Sequence, residues 1–201
     1  MKKKRIGIFG GTFNPPHNGH VSAAKCFKEQ MQLDILMIVP SFIPPHKEYS
    51  STVTCSERLE MCKIAFSDID SVIISDMEIL RGGTSYTYLT LEELYNDSVE
   101  LFFLCGTDMI LSMDHWRCPE KIFKLANICY IRREKDANND VVIVQKVEEY
   151  RLKYGAVVYS ISCDVLEISS TEIRKSRDTT EGFLPDGVVE YISKRGLYRD
   201  V

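Results

Sequence analysis

Residues 10–20 read Gly10-Gly11-Thr12-Phe13-Asn14-Pro15-Pro16-His17-Asn18-Gly19-His20. Immediately before them, Arg5-Ile6-Gly7-Ile8-Phe9 predicts a short buried strand. After them, Val21, Ala24, Phe27 and Met31 recur at helical spacing. A glycine-rich turn and two histidines therefore lie between the carboxyl end of a strand and the start of a helix. In an open α/β sheet that is where ligands bind. Free backbone N–H groups at a helix start favour anions, phosphate above all. Gly10 and Gly11 let the backbone approach a phosphate closely, and the imidazoles of His17 and His20 can donate to its oxygens.

Outward from this stretch, apolar runs alternate with helical patterns. Strands are expected at 5–9, 34–40, 71–79, 99–105, 128–132 and 156–162, with helices at 19–31, 56–66, 86–96, 119–126 and 140–154. Thr54-x-x-Glu57 makes a capping box ahead of Leu59, Cys62 and Phe66. Gly155 sits where a helix-ending glycine belongs. One further helix runs from Ser169 or Ser170 through Arg177, and another from Pro185 or Asp186 to Gly196. The pattern implies an α/β chain, a Rossmann-like doubly wound parallel sheet with C-terminal helices, in one domain over 1–201.

Composition narrows the function. Hydrophobic residues make up 44% and charged residues 27% of 201, which suits a globular protein with a substantial core. The net charge of −4 argues against a nucleic-acid partner. No window approaches the roughly 20 apolar residues of a membrane span, so no membrane partner is expected. Lys2-Lys3-Lys4-Arg5 is not followed by the apolar segment of a signal peptide, and a cytoplasmic location is expected. Homo-oligomerisation is left open. The seven cysteines contain no C-x-x-C pair and several fall on apolar faces, which predicts reduced, buried thiols and no structural zinc.

A second constellation, Ile168-Ser169-Ser170-Thr171-Glu172-Ile173-Arg174, places hydroxyls and amides at a helix start, with an arginine one turn later. Alone it describes many capped surface helices. Paired with the first motif it forms a second anion cradle. A metal held by His17 and His20 is not expected, since Asn18 and Gly19 intervene and no third ligand is evident. Asp108 reads equally as a helix cap.

Together the two motifs resemble the nucleotidyltransferase superfamily with the HxGH signature, here His17-Asn18-Gly19-His20. Within it the chain is most similar to the bacterial nicotinate-nucleotide adenylyltransferases. The similarity extends through Pro44-Pro45-His46-Lys47, Ser85-Tyr86-Thr87, Gly106-Thr107-Asp108, Trp116, Tyr191-Ile192 and Leu197-Tyr198. The resemblance implies transfer of AMP from ATP to nicotinate mononucleotide, with pyrophosphate released and Mg2+ carried mainly on the ATP phosphates. It implies that His17, His20, Lys47 and Arg174 are catalytic. Gly10, Gly11, Thr12, Phe13, Gly106, Asp108, Ser169, Ser170 and Thr171 would bind ATP. Ser85, Tyr86, Thr87, Trp116 and Arg133 would bind the acceptor. Three positions depart from the family's usual pattern: Arg117 after the tryptophan, Glu134-Lys135 after Arg133, and Leu89 two residues after the Ser-Tyr-Thr segment. Two rivals stand beside this reading. One is a relative that uses nicotinamide mononucleotide or pantetheine phosphate, and the other is a non-catalytic nucleotide-binding protein.

Overall fold

The computed structural model describes residues 2–45, 53–131, 137–163, 168–175 and 182–199, without the side chains of 137–139. Its centre is β1 (Lys4–Gly11), paired in parallel with β2 (Ile35–Pro40) on one side and β4 (Val99–Gly106) on the other. Outside β2 lies β3 (Val72–Ile74), and outside β4 lie β5 (Ala126–Ile131) and β6 (Val158–Ile161). The strand order is 3-2-1-4-5-6, all parallel. The order reverses between β1 and β4, and a crevice opens there at the carboxyl edge of the sheet.

Both faces of the sheet are covered, which is why β4 reads as a continuous apolar run from Leu101 to Cys105. Phe102 and Leu104 point into one core with Phe27, Leu36, Met61 and Val188. Leu101, Phe103 and Cys105 point into the other with Leu91, Ile110, Phe123 and Tyr150. The first core is closed by α1 (Asn18–Gln30), α2 (Cys55–Ala65), α8 (Ser170–Lys175) and α9 (Asp186–Arg195). The second is closed by α4 (Thr87–Leu94), α5 (Thr107–Ser112), α6 (Pro119–Leu125) and α7 (Ala137–Tyr154). Gly7 makes the α1 packing feasible: a Cβ there would lie 2.3 Å from Leu33 Cδ1 and 2.8 Å from the Phe27 ring. The Thr54 capping box forms as expected, with Glu57 N donating to Thr54 Oγ1 at 3.2 Å and Thr54 N to Glu57 Oε2 at 2.9 Å.

Two expectations need correction. The run 71–79 is not one strand: β3 stops at Ile74, and α3 (Met77–Arg81) follows and ends at Gly82, whose φ is +70°. Met77 and Ile79 are half-buried on this helix while Leu80 is exposed, a spacing that apolar content alone does not separate from a strand. The cysteines are also not all free thiols. Cys26 on α1 and Cys163 after β6 form a disulfide with Cα atoms 5.9 Å apart, while five others remain thiols. This pairing depends on α1 lying beside the far edge strand, and a separation of 137 residues hides it from sequence spacing. The remaining buried thiols behave as expected, and burial pushes that of Cys129 up to about 12.

Candidate active site

A cavity of about 630 Å³ lies over the crevice, walled by the ends of β1 and β4 and the segments that follow them. Gly10, Gly11, Thr12, His17 and His20 form its floor. His17 caps α1, and the two histidines do what a serine–glutamate capping box usually does. His20 N donates to His17 Nδ1 at 3.3 Å, and His17 N donates to His20 Nδ1 at 3.2 Å. The rings stack with centroids 3.6 Å apart. An Nδ1 that accepts a hydrogen bond carries no proton, so in each neutral ring the proton sits on Nε2 and makes that atom a donor. Phe13 also lines the cavity, but its ring is buried edge-on against Phe9 and Phe66. That packing holds Phe13 at a φ of +47°, an uncommon conformation for an aromatic residue.

The second motif closes over the first. Ser170 Oγ donates to Pro15 O at 2.9 Å, and Arg174 Nη1 donates to Asn14 O at 2.6 Å. The Tyr198 hydroxyl donates to Asn14 Oδ1 at 2.5 Å. Ser169 caps α8 with Glu172, whose carboxyl these hydrogen bonds hold below the usual carboxylate range. Ser169, Ser170, Thr171 and Arg174 all reach the cavity, so two motifs about 150 residues apart in sequence meet on one site. Arg174 already braces the loop through Asn14, a role that sequence reading missed.

The opposite wall carries the aromatic residues. Ser85, Tyr86 and Thr87 lead into α4, and Ser85 Oγ accepts Phe42 N at 2.8 Å. Trp116 follows the 3₁₀ turn Met113–His115 and stands edge-on to Phe103, with centroids 6.3 Å apart. The guanidinium of Arg117 lies 5.6 Å from the Tyr86 ring centroid. Gly106 and Asp108 line the cavity between the two ends, and Asp108 is exposed to it. Lys47 and Arg133 lie outside the described residues, as does His46.

Two residues at the site escaped the sequence reading. Arg58 is fully buried and donates from Nη1 to Thr12 O at 2.7 Å and from Nη2 to Ser41 O at 2.6 Å. It ties the loop after β1 to the loop after β2. Its signal was visible, because Arg58, Met61, Cys62 and Ala65 form the buried stripe of α2 and one of them is charged. Glu78 on α3 is also buried against the cavity. Reading 71–79 as a strand concealed it.

Among the described residues no cluster of three histidine, cysteine, aspartate or glutamate side chains stands ready to hold a metal. The groups at the histidine end are imidazoles, hydroxyls, amides and a guanidinium, which suit phosphate oxygens. Such a donor set fits a Mg2+ that is coordinated mostly by phosphates and water.

The sheet order and the two converging motifs define a nucleotidyltransferase of the α/β type, and the cytidylyltransferase-like family model matches residues 8–176. A curated relative from Clostridium botulinum (strain Alaska E43 / Type E3), called a probable nicotinate-nucleotide adenylyltransferase, is 37% identical over 201 residues, spanning 98% of this chain and 99% of its own. One from Geotalea daltonii with the same description is 37% identical over 213 residues, with the same coverage. The chain belongs to the nicotinate-nucleotide adenylyltransferase family. Its fold is shared by the Plasmodium falciparum nicotinic acid mononucleotide adenylyltransferase complexed with NaAD, at a TM-score of 0.74 and 20% identity over 97% of both chains. A Vibrio parahaemolyticus structure titled as a putative nicotinate-nucleotide adenylyltransferase superposes with a TM-score of 0.66 and 21% identity, over 98% of this chain and 97% of its own.

Proposed function

We propose that this chain transfers AMP from ATP to nicotinate mononucleotide, giving nicotinate adenine dinucleotide and pyrophosphate in NAD biosynthesis. One observation carries the reading: a single cavity joins a phosphate-type floor, with both anion motifs, to an aromatic wall at Tyr86 and Trp116. In the reaction an oxygen of the mononucleotide phosphate attacks the α-phosphorus of ATP. The new P–O bond forms as the bond from the α-phosphorus to the bridging oxygen breaks, and that oxygen leaves with pyrophosphate. The nucleophile is already an anion, so no general base is needed. Catalysis rests on positioning and on stabilising charge spread over phosphate oxygens.

In this scheme the Nε2–H groups of His17 and His20 donate to the ATP phosphates, with His20 at the α-phosphate. Gly10, Gly11 and Thr12 meet the phosphates through backbone and hydroxyl. Ser169, Ser170, Thr171 and Arg174 hold the β- and γ-phosphates, Gly106 and Asp108 meet the nucleoside, and Lys47 adds positive charge. Bound Mg2+ would neutralise charge on the phosphate oxygens. Ser85, Tyr86, Thr87 and Trp116 surround the acceptor ring, with Arg133 assigned to the mononucleotide phosphate. We assign the enzyme to the cytoplasm, the compartment expected from its sequence.

The test is pyrophosphate release from ATP and Mg2+ with nicotinate mononucleotide, beside nicotinamide mononucleotide and pantetheine phosphate. Fast release with the first alone is expected. Release only with another acceptor would replace the acceptor and keep the phosphate chemistry. His20→Ala is expected to lower kcat by about 10²–10³, the usual cost of one transition-state donor, with ATP binding nearly unchanged. Turnover near the parent rate would refute the role of His20.

A further inference from the structure

The cavity wall between α3 and α4 holds a carboxylate that the scheme above does not use. Glu78 is only 7% exposed, yet it lines the cavity. Its Oε1 accepts the Thr90 hydroxyl at 2.6 Å, and that hydroxyl accepts Arg81 Nη1 at 3.3 Å. The other amino group of Arg81 is committed to Glu93 at 2.7 Å. Among the described residues no cation pairs with Glu78, and its Oε2 has no donor. A carboxylate withdrawn from water with one neutral hydroxyl as its donor works against folding. A positive group entering the cavity would give that charge a partner.

The same wall says what shape that group has. Tyr86 and Trp116 line the cavity with Glu78. An aromatic face carries negative quadrupolar potential and attracts cations, and the Tyr86 face already draws the Arg117 guanidinium. Aromatic faces beside a buried carboxylate suit a flat organic cation. The other end of the cavity has the opposite character, with His17, His20 and Arg174 facing anions. The cavity is therefore polarised, and a ligand that is cationic at a planar ring and anionic at a phosphate fits it in one direction only.

We infer that Glu78 is an acceptor-binding residue that holds the positive charge of an N-ribosylated pyridinium ring. The inference rests on the acceptor reading above, since nicotinate mononucleotide carries such a ring. Glu78 orients the acceptor: the ring goes to the carboxylate and the phosphate to the histidines. Thr90 fixes the rotamer of the carboxylate through Oε1 and leaves Oε2 for the ligand.

Glu78→Gln tests this, because the amide oxygen can still accept the Thr90 hydroxyl while the charge is lost. The KM for nicotinate mononucleotide should rise about tenfold, the scale of a desolvated cation contact, while the KM for ATP stays within about twofold. The Tm should hold or rise, since a buried charge is removed. Nicotinamide mononucleotide and its 1,4-dihydro form, used as competitors, differ chiefly in ring charge. The parent enzyme should bind the cationic form about tenfold more tightly, and the variant should bind the two about equally. An unchanged preference in the variant overturns the inference. So does a fall in Tm accompanied by equal rises in both KM values, which marks a purely structural residue. A parent enzyme that releases no pyrophosphate with nicotinate mononucleotide fails the acceptor reading before any variant is made, and the Glu78 assignment fails with it.

Discussion

Arg58 shows how much of the site depends on a side chain that does not itself line the cavity. Its guanidinium holds Thr12 O and Ser41 O, the carbonyls where the chain leaves the β1 and β2 edges. Arg58→Met keeps the apolar stem but leaves those carbonyls without their donors. A buried acceptor without a partner costs about 1–3 kcal/mol, so a loss of roughly 2–5 kcal/mol is expected in urea titration, with ATP affinity weakened through the displaced Thr12 loop. A loss below about 0.5 kcal/mol, the range of a neutral surface change, would show that the loops stand without it. At this scale the site was legible where chemistry and order coincide. His17, His20 and Arg174 were visible because histidines after a glycine turn and an arginine after a serine pair have few other uses in that setting. The reciprocal capping by the two imidazoles was not visible, because sequence does not say which nitrogen a ring commits to its own backbone.

Elements transmit this order to the aromatic wall. Trp116 follows a 3₁₀ turn containing Asp114, and α7 grips that turn: Lys146 Nζ lies 2.7 Å from Asp114 Oδ2, and the Tyr150 hydroxyl lies 3.1 Å from Asp114 Oδ1. The Tyr150 oxygen also lies 2.8 Å from Ile110 O, an alternative acceptor for its single proton, and accepts Asp114 N at 3.3 Å, which holds α5 and the turn to the same helix. Burial raises the Asp114 carboxyl, but the hydrogen bonds from Lys146 and Tyr150 and the Lys146 charge outweigh it and hold the group below the usual carboxylate range. A carboxyl depressed in the folded state stabilises above its unfolded value near 3.9, and that contribution is lost as pH falls through the folded value. Asp114→Asn should therefore cost about 1–3 kcal/mol at pH 7, with the gap to the parent closing below about pH 4. A gap that persists unchanged at pH 3 would mean that shape, not charge, supports the turn. The sequence showed α7 as a helix but not as a brace. Its partners lie 32 and 36 residues away on an element of only three residues, too short for periodicity to register. Strand β3 and helix α3 were merged for the same reason.

Across the whole molecule, the alternating pattern was enough to specify the doubly wound sheet, because two covered faces require continuous apolar strands and right-handed crossovers leave few orders. It could not specify what closes the far side. Gln30 on α1 reaches the end of β6 with two bonds, Nε2 to Ser162 O at 2.6 Å and Ser162 N to Oε1 at 3.1 Å. The Cys26–Cys163 bridge adds a covalent tie beside them. The tie connects the helix that begins at His17 and His20 to the strand preceding the second motif, so both halves of the candidate site lie close to it in the chain. Closing a loop of 137 residues removes chain entropy worth about 5 kcal/mol from the unfolded state, and reduction should lower stability by up to that amount. In a reducing cytoplasm the same pair would stand as two thiols, so the gain belongs to the oxidised protein. Protein denatured without reductant should take up alkylating reagent at five thiols, and at all seven after reduction. The Cys26→Ser variant should match the reduced parent in denaturant and gain nothing from oxidation. Seven reactive thiols before reduction would instead leave Gln30 and Ser162 to hold α1 to the sheet edge unaided, and the oxidised and reduced proteins would then unfold together.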